Sequence, residues 1–251
     1  MPSMSEFLSA YAKGPKGQSA AFLFCDHATN ALPAQYGSLG LSDEQISDHI
    51  AYDPGAAALT ELLGERLNAR TVYCGFSRLL IDPNRGQERD DLVMEESDCV
   101  SISSNQNLSW EEREHRINSY YRPYHEFLDH ELEAHTLAIS DPLIVSIHSF
   151  CRALRCRKSH RPWQVGILWK DDEKSAWTVI ETLRHHGLSV GDNEPYSAKA
   201  YNYTVDRHVG ARGLRHLTLE IRQDLIADEI HVRQWADLIE MPLRALIEAS
   251  P

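Results

Sequence analysis

Five short runs of β-type sequence, Ala20 to Cys25, Thr71 to Phe76, Leu143 to His148, Val165 to Trp169 and Leu214 to Ile221, alternate with stretches of helical periodicity. That alternation restricts the chain to an α/β architecture. Continuous apolar runs such as Leu143-Ile144-Val145 mark strands buried on both faces, the condition inside a mostly parallel sheet covered by helices. The expected fold is a three-layer sandwich with the sheet in the middle. No Pro/Gly/Ser-rich linker and no shift of composition interrupts the chain, so a single domain over residues 1–251 is expected.

Helix boundaries have local causes. Ser42-Asp43-Glu44-Gln45 and Ser109-Trp110-Glu111-Glu112 carry capping-box patterns, each opening a helical segment. A third helix starts near Pro54 and places Leu59, Leu62, Leu63 and Leu67 on one face. The segment from Ser109 to about Ile139 is long, and Pro123 inside it is expected to break or kink it. Further helices are expected from Glu173 to His186 and from Ala227 to Ala249, whereas Arg85 to Asn107 reads as an irregular loop.

Composition narrows the function classes. With 42% hydrophobic and 25% charged residues, the chain can bury a core, which excludes disorder and a small stapled scaffold. A formal charge of -12 repels polyanions, so nucleic acid is not an expected partner. The longest nearly apolar stretches fall far short of the roughly 20 residues of a spanning helix. The N-terminus also lacks a basic region followed by an apolar run, so no membrane association is expected. Five cysteines with no C-x-x-C pair fit reduced thiols and a cytoplasmic location. Monomer and homodimer both stay open.

Three polar clusters fall at predicted strand ends: Cys25-Asp26-His27, His148-Ser149-Phe150 and Glu220-Ile221-Arg222. Ligands of α/β sheets bind outside the carboxyl ends of parallel strands, so these clusters can meet. His27, His148 and one carboxylate satisfy the donor count of a catalytic zinc site, three protein ligands with a position left open. The bland alternative is hydrogen-bonded structural histidines, with Glu220 ion-paired to Arg222 or Arg215. Arg152, Arg155, Arg157, Lys158 and Arg161 form a basic run without acidic residues, suited either to a small anionic substrate or to a solvated loop. In Ser77-Arg78-Leu79-Leu80-Ile81-Asp82-Pro83-Asn84-Arg85, the Asp, Pro and Asn favour a turn that can hold Asn84 and Arg85 rigidly. Signatures of nucleotide loops, nucleophile elbows and zincin helices are missing, and Cys25 and Cys151 are poor candidates for a thiol nucleophile.

The strings CDHATNALP, HIAYDPGA, SRLLIDPNR, VSIHSF, RPWQVGILW, YTVDRHV and LEIRQD, in this order, resemble the N-formylglutamate amidohydrolase family over about residues 20 to 230. The resemblance implies a fold like the zinc-dependent exopeptidases and aspartoacylases, a mixed sheet between helices, and hydrolysis of an amide on a small acidic amino acid. It implies metal-ligand roles for His27 and His148 and a substrate-carboxylate grip by Asn84 and Arg85. Glu220 resembles the glutamate that activates water. The exopeptidase pattern H-x-x-E is here His27-Ala28-Thr29-Asn30, so the third ligand is open. Asp53 is the first choice because it restores a carboxylate, and Asp26 the second. On this reading zinc, or another divalent metal, sits on His27, His148 and Asp53. Arg78 or an arginine of the 152–161 loop, Arg152 among them, holds the second carboxylate, and His208 donates to the developing oxyanion. Two rivals share the scaffold: a deacylase or carboxypeptidase for another N-acyl amino acid or peptide end, and a non-catalytic binding protein.

Overall fold

A computed structural model describes residues 7–156 and 161–249. Its central sheet has seven strands: β1 (Ala10–Lys13), β2 (Ala21–Cys25), β3 (Arg70–Cys74), β6 (Leu143–Phe150), β7 (Val165–Leu168), β8 (Val190–Asp192) and β9 (Arg215–Arg222). Their spatial order is β1-β3-β2-β6-β9-β7-β8, and a separate hairpin pairs β4 (Glu96–Ser97) with β5 (Val100–Ser101). Strands β3, β2, β6 and β9 run parallel. β1 is antiparallel to β3, and β7 is antiparallel to β9 while parallel to β8. The sheet is mixed and mostly parallel, as the apolar runs require. The five predicted strands are all present. β1 and β8 escape sequence reading because AYAK and VGD are short edge strands without alternation.

Side-chain alternation sorts the two central strands. Leu143, Val145 and Ile147 of β6 and Leu217, Leu219 and Ile221 of β9 pack with α2 (Ala56–Arg66), α5 (Glu173–His185) and α7 (Glu229–Glu248) in one core. Phe22 and Phe24 of β2 face the opposite side, against Tyr124, Leu128 and Leu132 of α4 (Arg122–Ala138) and Val205 of α6 (Tyr203–His208). That second face also carries Ser146 and His148 of β6 and Thr218 and Glu220 of β9, because residues two apart share a face.

The caps form where the sequence places them. Ser42 makes the full capping box with Gln45 at α1 (Asp43–Ile46), and Ser109 caps α3 (Trp110–Arg116) through the Glu112 amide. Pro123 does not break its helix. A π-helical turn, Ile117–Tyr121, joins α3 to α4, and Pro123 follows it in the first turn of α4. The wider turn removes the clash that a proline ring makes with the carbonyl four residues earlier. The expectation of reduced thiols throughout is corrected: Cys99 and Cys156 are joined in a disulfide, and Cys25, Cys74 and Cys151 are free and buried. Among the described residues, no helix is long and apolar enough to cross a membrane.

Candidate metal centre and hydrolytic site

The carboxyl ends of β2, β6 and β9 are adjacent, and His148 pairs with Glu220 in the strand register. His27 lies two residues beyond the end of β2. Asp53 is brought over by the loop before α2, where its amide donates to the His27 carbonyl at 2.9 Å. Gly55 makes that approach possible: its φ is +80°, and a Cβ there would lie 2.3 Å from the Ile226 carbonyl oxygen. His27, Asp53 and His148 are buried, and one donor atom from each lies within 4.8 Å of the others.

The hydrogen bonds of the two imidazoles fix their orientation. His27 Nε2 donates to Asp82 Oδ1 at 2.8 Å, which turns Nδ1 towards Asp53 Oδ2 at 3.3 Å. His148 Nε2 faces Asp26 Oδ2 at 3.5 Å, and its Nδ1 lies 2.8 Å from the same Asp53 oxygen. Tyr124 in turn donates to Asp26 Oδ1 at 2.5 Å. Both rings thus present the same nitrogen to one carboxylate and rest on another carboxylate behind, an arrangement that metal-ligating histidines adopt. An imidazole lone pair and a carboxylate oxygen 2.8 Å apart need a cation between them, a proton or a shared metal ion.

Charge points the same way. Four carboxylates, Asp26, Asp53, Asp82 and Glu220, converge on two imidazoles and the Arg78 guanidinium. Burial alone raises a carboxyl, but the charge of His27 and the hydrogen bonds of both histidines hold Asp53 well below the usual range. Burial lowers an imidazole, yet the Asp26 and Asp53 contacts push His148 well above its ordinary value. Glu220 differs. Burial pushes it up to about 7 against the pull of His148, and its Oε2 has no hydrogen-bond partner. An orphaned carboxylate oxygen beside two imidazoles and an excess of negative charge fit a divalent cation with a water in reach.

Above these groups lies a cavity of about 500 Å³, lined by His27, Asp53, Arg78, His148 and Glu220 in its floor. Asn84, Arg85, Arg161, Tyr196 and Tyr201 also line it.

The sequence matches the N-formylglutamate amidohydrolase family over residues 19–227. The chain belongs to that family. Membership makes it a hydrolase of carbon–nitrogen bonds other than peptide bonds. A gene product of Agrobacterium tumefaciens of solved structure is 30% identical, with a TM-score of 0.87 over 95% of this chain and 96% of that one. The N-formylglutamate amidohydrolase of Ralstonia eutropha, at 20% identity, superimposes with a TM-score of 0.76 over 96% and 97% of the two chains and shares the fold. No curated protein sequence matches this chain.

Within this family member, the remaining expected site residues fall into two groups. Asn84 and Arg85 line the cavity, and the Asn84 amide donates to Asp82 Oδ1 at 2.9 Å, the Asx turn that the sequence favours. Arg78 lines it too, but its Nη2 is committed to Asp82 at 2.7 Å and its Nη1 lies 3.7 Å from Asp53. Glu220 is not paired with either arginine expected as its partner: Arg222 engages Asp224, and Arg215 engages Asp141. Asn30 donates to the Ile46 carbonyl at the end of α1, away from the donor cluster. Arg152 and His208 are likewise not brought to the cavity. Arg152 is exposed, and His208 is buried with its nitrogens facing His125 and Asp129. Arg157 and Lys158 lie outside the described residues.

Two participants were not visible in the sequence as such. Asp82 reads there as a turn residue, yet it carries His27. Tyr124 lies in a helix 98 positions from Asp26. Arg161, by contrast, belongs to the basic run that the sequence offers for the second carboxylate; it is buried against Tyr196, with Nη1 donating to the tyrosine oxygen at 3.0 Å.

Proposed function

We propose that this chain hydrolyses the amide of a small N-acyl acidic amino acid, with N-formyl-L-glutamate the foremost substrate, and that the whole chain acts as one amidohydrolase domain. The convergence of His27, Asp53 and His148 beside the unpartnered Glu220 Oε2 carries the reading. His27 Nδ1, an Asp53 oxygen and His148 Nδ1 would hold a divalent cation, zinc by the chemistry of the donors, which when bound acidifies water to a pKa of about 7 and polarises a carbonyl.

The chain's own residues supply the rest. Glu220 takes the proton of the attacking water and passes it to the departing amine, a task that suits a carboxyl whose affinity for protons lies near neutrality. The Arg78 guanidinium, held between Asp82 and Asp53, offers a fixed positive charge to an oxyanion in the cavity floor. Asn84 and Arg85 hold one substrate carboxylate. Arg161 takes the place expected of Arg152 for the second, since it lines the cavity and Arg152 does not. Its ring of partners, Tyr196 and the Cys151 carbonyl, fixes the guanidinium fork for a bidentate grip.

The test is elemental analysis of purified protein followed by amine release from N-formyl-L-glutamate, N-acetyl-L-glutamate and N-formyl-L-leucine, with and without chelator. About one zinc per chain and chelator-sensitive hydrolysis of the diacid are expected. Metal-free protein that gains no thermal stability from added zinc overturns the reading.

A further inference from the structure

The Asp82-Pro83-Asn84-Arg85 turn serves both halves of the site, because Asp82 orients His27 while Asn84 and Arg85 line the cavity. It is held from behind by a buried chain of polar contacts. The Pro83 carbonyl accepts from His125 Nε2 at 3.1 Å and from the Thr204 hydroxyl at 3.3 Å. His125 Nδ1 lies 2.8 Å from His208 Nε2, and His208 Nδ1 lies 2.9 Å from Asp129 Oδ1. The two rings stack with centroids 5.1 Å apart, and both are nearly inaccessible, at 1% and 3% exposure. Asp129 at the far end is half-exposed and also accepts from Arg212 at 2.8 Å.

We propose that Asp129, His208 and His125 form a positioning relay that fixes the Pro83 carbonyl and thereby the set of Asn84 and Arg85 towards the substrate carboxylate. The inference rests on the reading of Asn84 and Arg85 as the carboxylate grip. The same α6 segment adds a second tie to the turn, since the Thr204 amide donates to Asn84 Oδ1 at 3.1 Å.

The relay needs a definite number of hydrogens. A proline carbonyl and a carboxylate only accept, so His125 Nε2 and His208 Nδ1 both carry hydrogen, and the bond between the rings requires a third. Three hydrogens on two imidazoles make the pair a monocation. The extra proton belongs to His208, because its Nδ1 faces the Asp129 carboxylate whereas His125 Nε2 faces a neutral carbonyl; burial lowers both rings, so the monocation forms on the acid side of an ordinary histidine. Tyr121 and Tyr124 from the α4 side, Tyr203 and Arg207 from α6, Arg212 beyond it and Asp26 across the sheet also face the pair. Deprotonation costs the relay one link, so the turn loosens as pH rises.

His208→Phe keeps the stacked ring and removes both links, whereas Asp129→Asn keeps an acceptor and removes the charge that retains the extra proton. Both are compared with the wild-type holoenzyme by L-glutamate affinity in calorimetry, by kcat and KM for N-formyl-L-glutamate, and by amide exchange at Asn84 and Arg85. His208→Phe is expected to weaken L-glutamate binding and raise KM roughly tenfold, the equivalent of a lost buried hydrogen bond, with kcat within about twofold. Exchange at the two amides accelerates. Asp129→Asn is expected to match wild type at acid pH and to lose affinity at a lower pH than wild type does, a shift that a merely structural residue would not produce. Unchanged affinity and unchanged exchange in His208→Phe overturn the relay. If wild type binds no L-glutamate, the substrate reading fails instead, and amide exchange alone then decides the relay.

Discussion

Exchanging Asp82 for asparagine removes one negative charge from the floor of the site without changing its volume. Asp82 is fully buried and accepts from His27 Nε2 at 2.8 Å, Arg78 Nη2 at 2.7 Å and the Asn84 amide at 2.9 Å. An asparagine oxygen can keep one or two of these donors, but its NH₂ group then opposes the Arg78 guanidinium. Breaking a buried ion pair from one side costs about 3–5 kcal/mol. The low end applies because Arg78 retains Asp53 at 3.7 Å. For a chain of this size, about 3 kcal/mol lowers the melting midpoint by roughly 6–12 °C. The same change weakens the hold on the His27 ring, and loss of such a supporting carboxylate reduces metal affinity about 10–100-fold. A competition titration with a chromophoric zinc chelator, paired with calorimetric melting in chelator, measures the two effects separately. Zinc affinity within about twofold of wild type would refute the claim that Asp82 orients a ligand, whatever happens to the melting midpoint.

Glu220→Gln is expected to retain metal stoichiometry and fold while turnover falls about 10²–10⁴-fold, as removal of a general base does; near-normal kcat would remove Glu220 from its role. His125 has a folded-state pKa of about 3, below the roughly 6.5 of an unfolded histidine. Its neutral burial thus contributes stability that is full above about pH 6.5 and is lost as pH falls towards 3, by up to about 1.4 kcal/mol per pH unit. Urea unfolding at pH 7 and pH 5 should show a steeper acid loss in wild type than in His125→Gln. The Cys99–Cys156 bridge spans a sequence separation of 57 residues. Its reduction should remove about 4 kcal/mol by restoring freedom to the unfolded chain. Equal melting midpoints with and without reductant, once mass spectrometry confirms the bridge, would count against that value.

Much of the fold is written in local patterns. The five predicted strands and the Ser42 and Ser109 caps follow from periodicity and from side chains that reach their own backbone. Pro123 is the instructive exception: proline chemistry fixes a need for relief in the preceding turn, and the π-helical turn supplies it without ending the helix. The site is legible where its residues stand at strand ends, as His27, His148 and Glu220 do, because the sheet itself brings those ends together. Groups that arrive from loops and helices were harder to read. Asp53 depends on a backbone approach that only Gly55 permits, and Asp82 announces a turn rather than a ligand's support. His208 looks available in the string YTVDRHV, yet Asp129 and His125, 79 and 83 positions earlier, take both its nitrogens. Cys99 and Cys156 likewise meet only because the β4–β5 hairpin and the segment after β6 converge at the cavity.

His148 and Glu220 stand opposite each other on neighbouring parallel strands, whereas Asn84, Arg85, Arg161, Tyr196 and Tyr201 all lie outside the strands and helices. The proposed metal ligand and base are therefore mounted on the hydrogen-bonded sheet, and the residues proposed to grip the substrate are mounted on loops. On those proposed roles, insertions or substitutions in the loops would change the fit of the substrate while the spacing between His148 and Glu220 stays fixed by backbone hydrogen bonding.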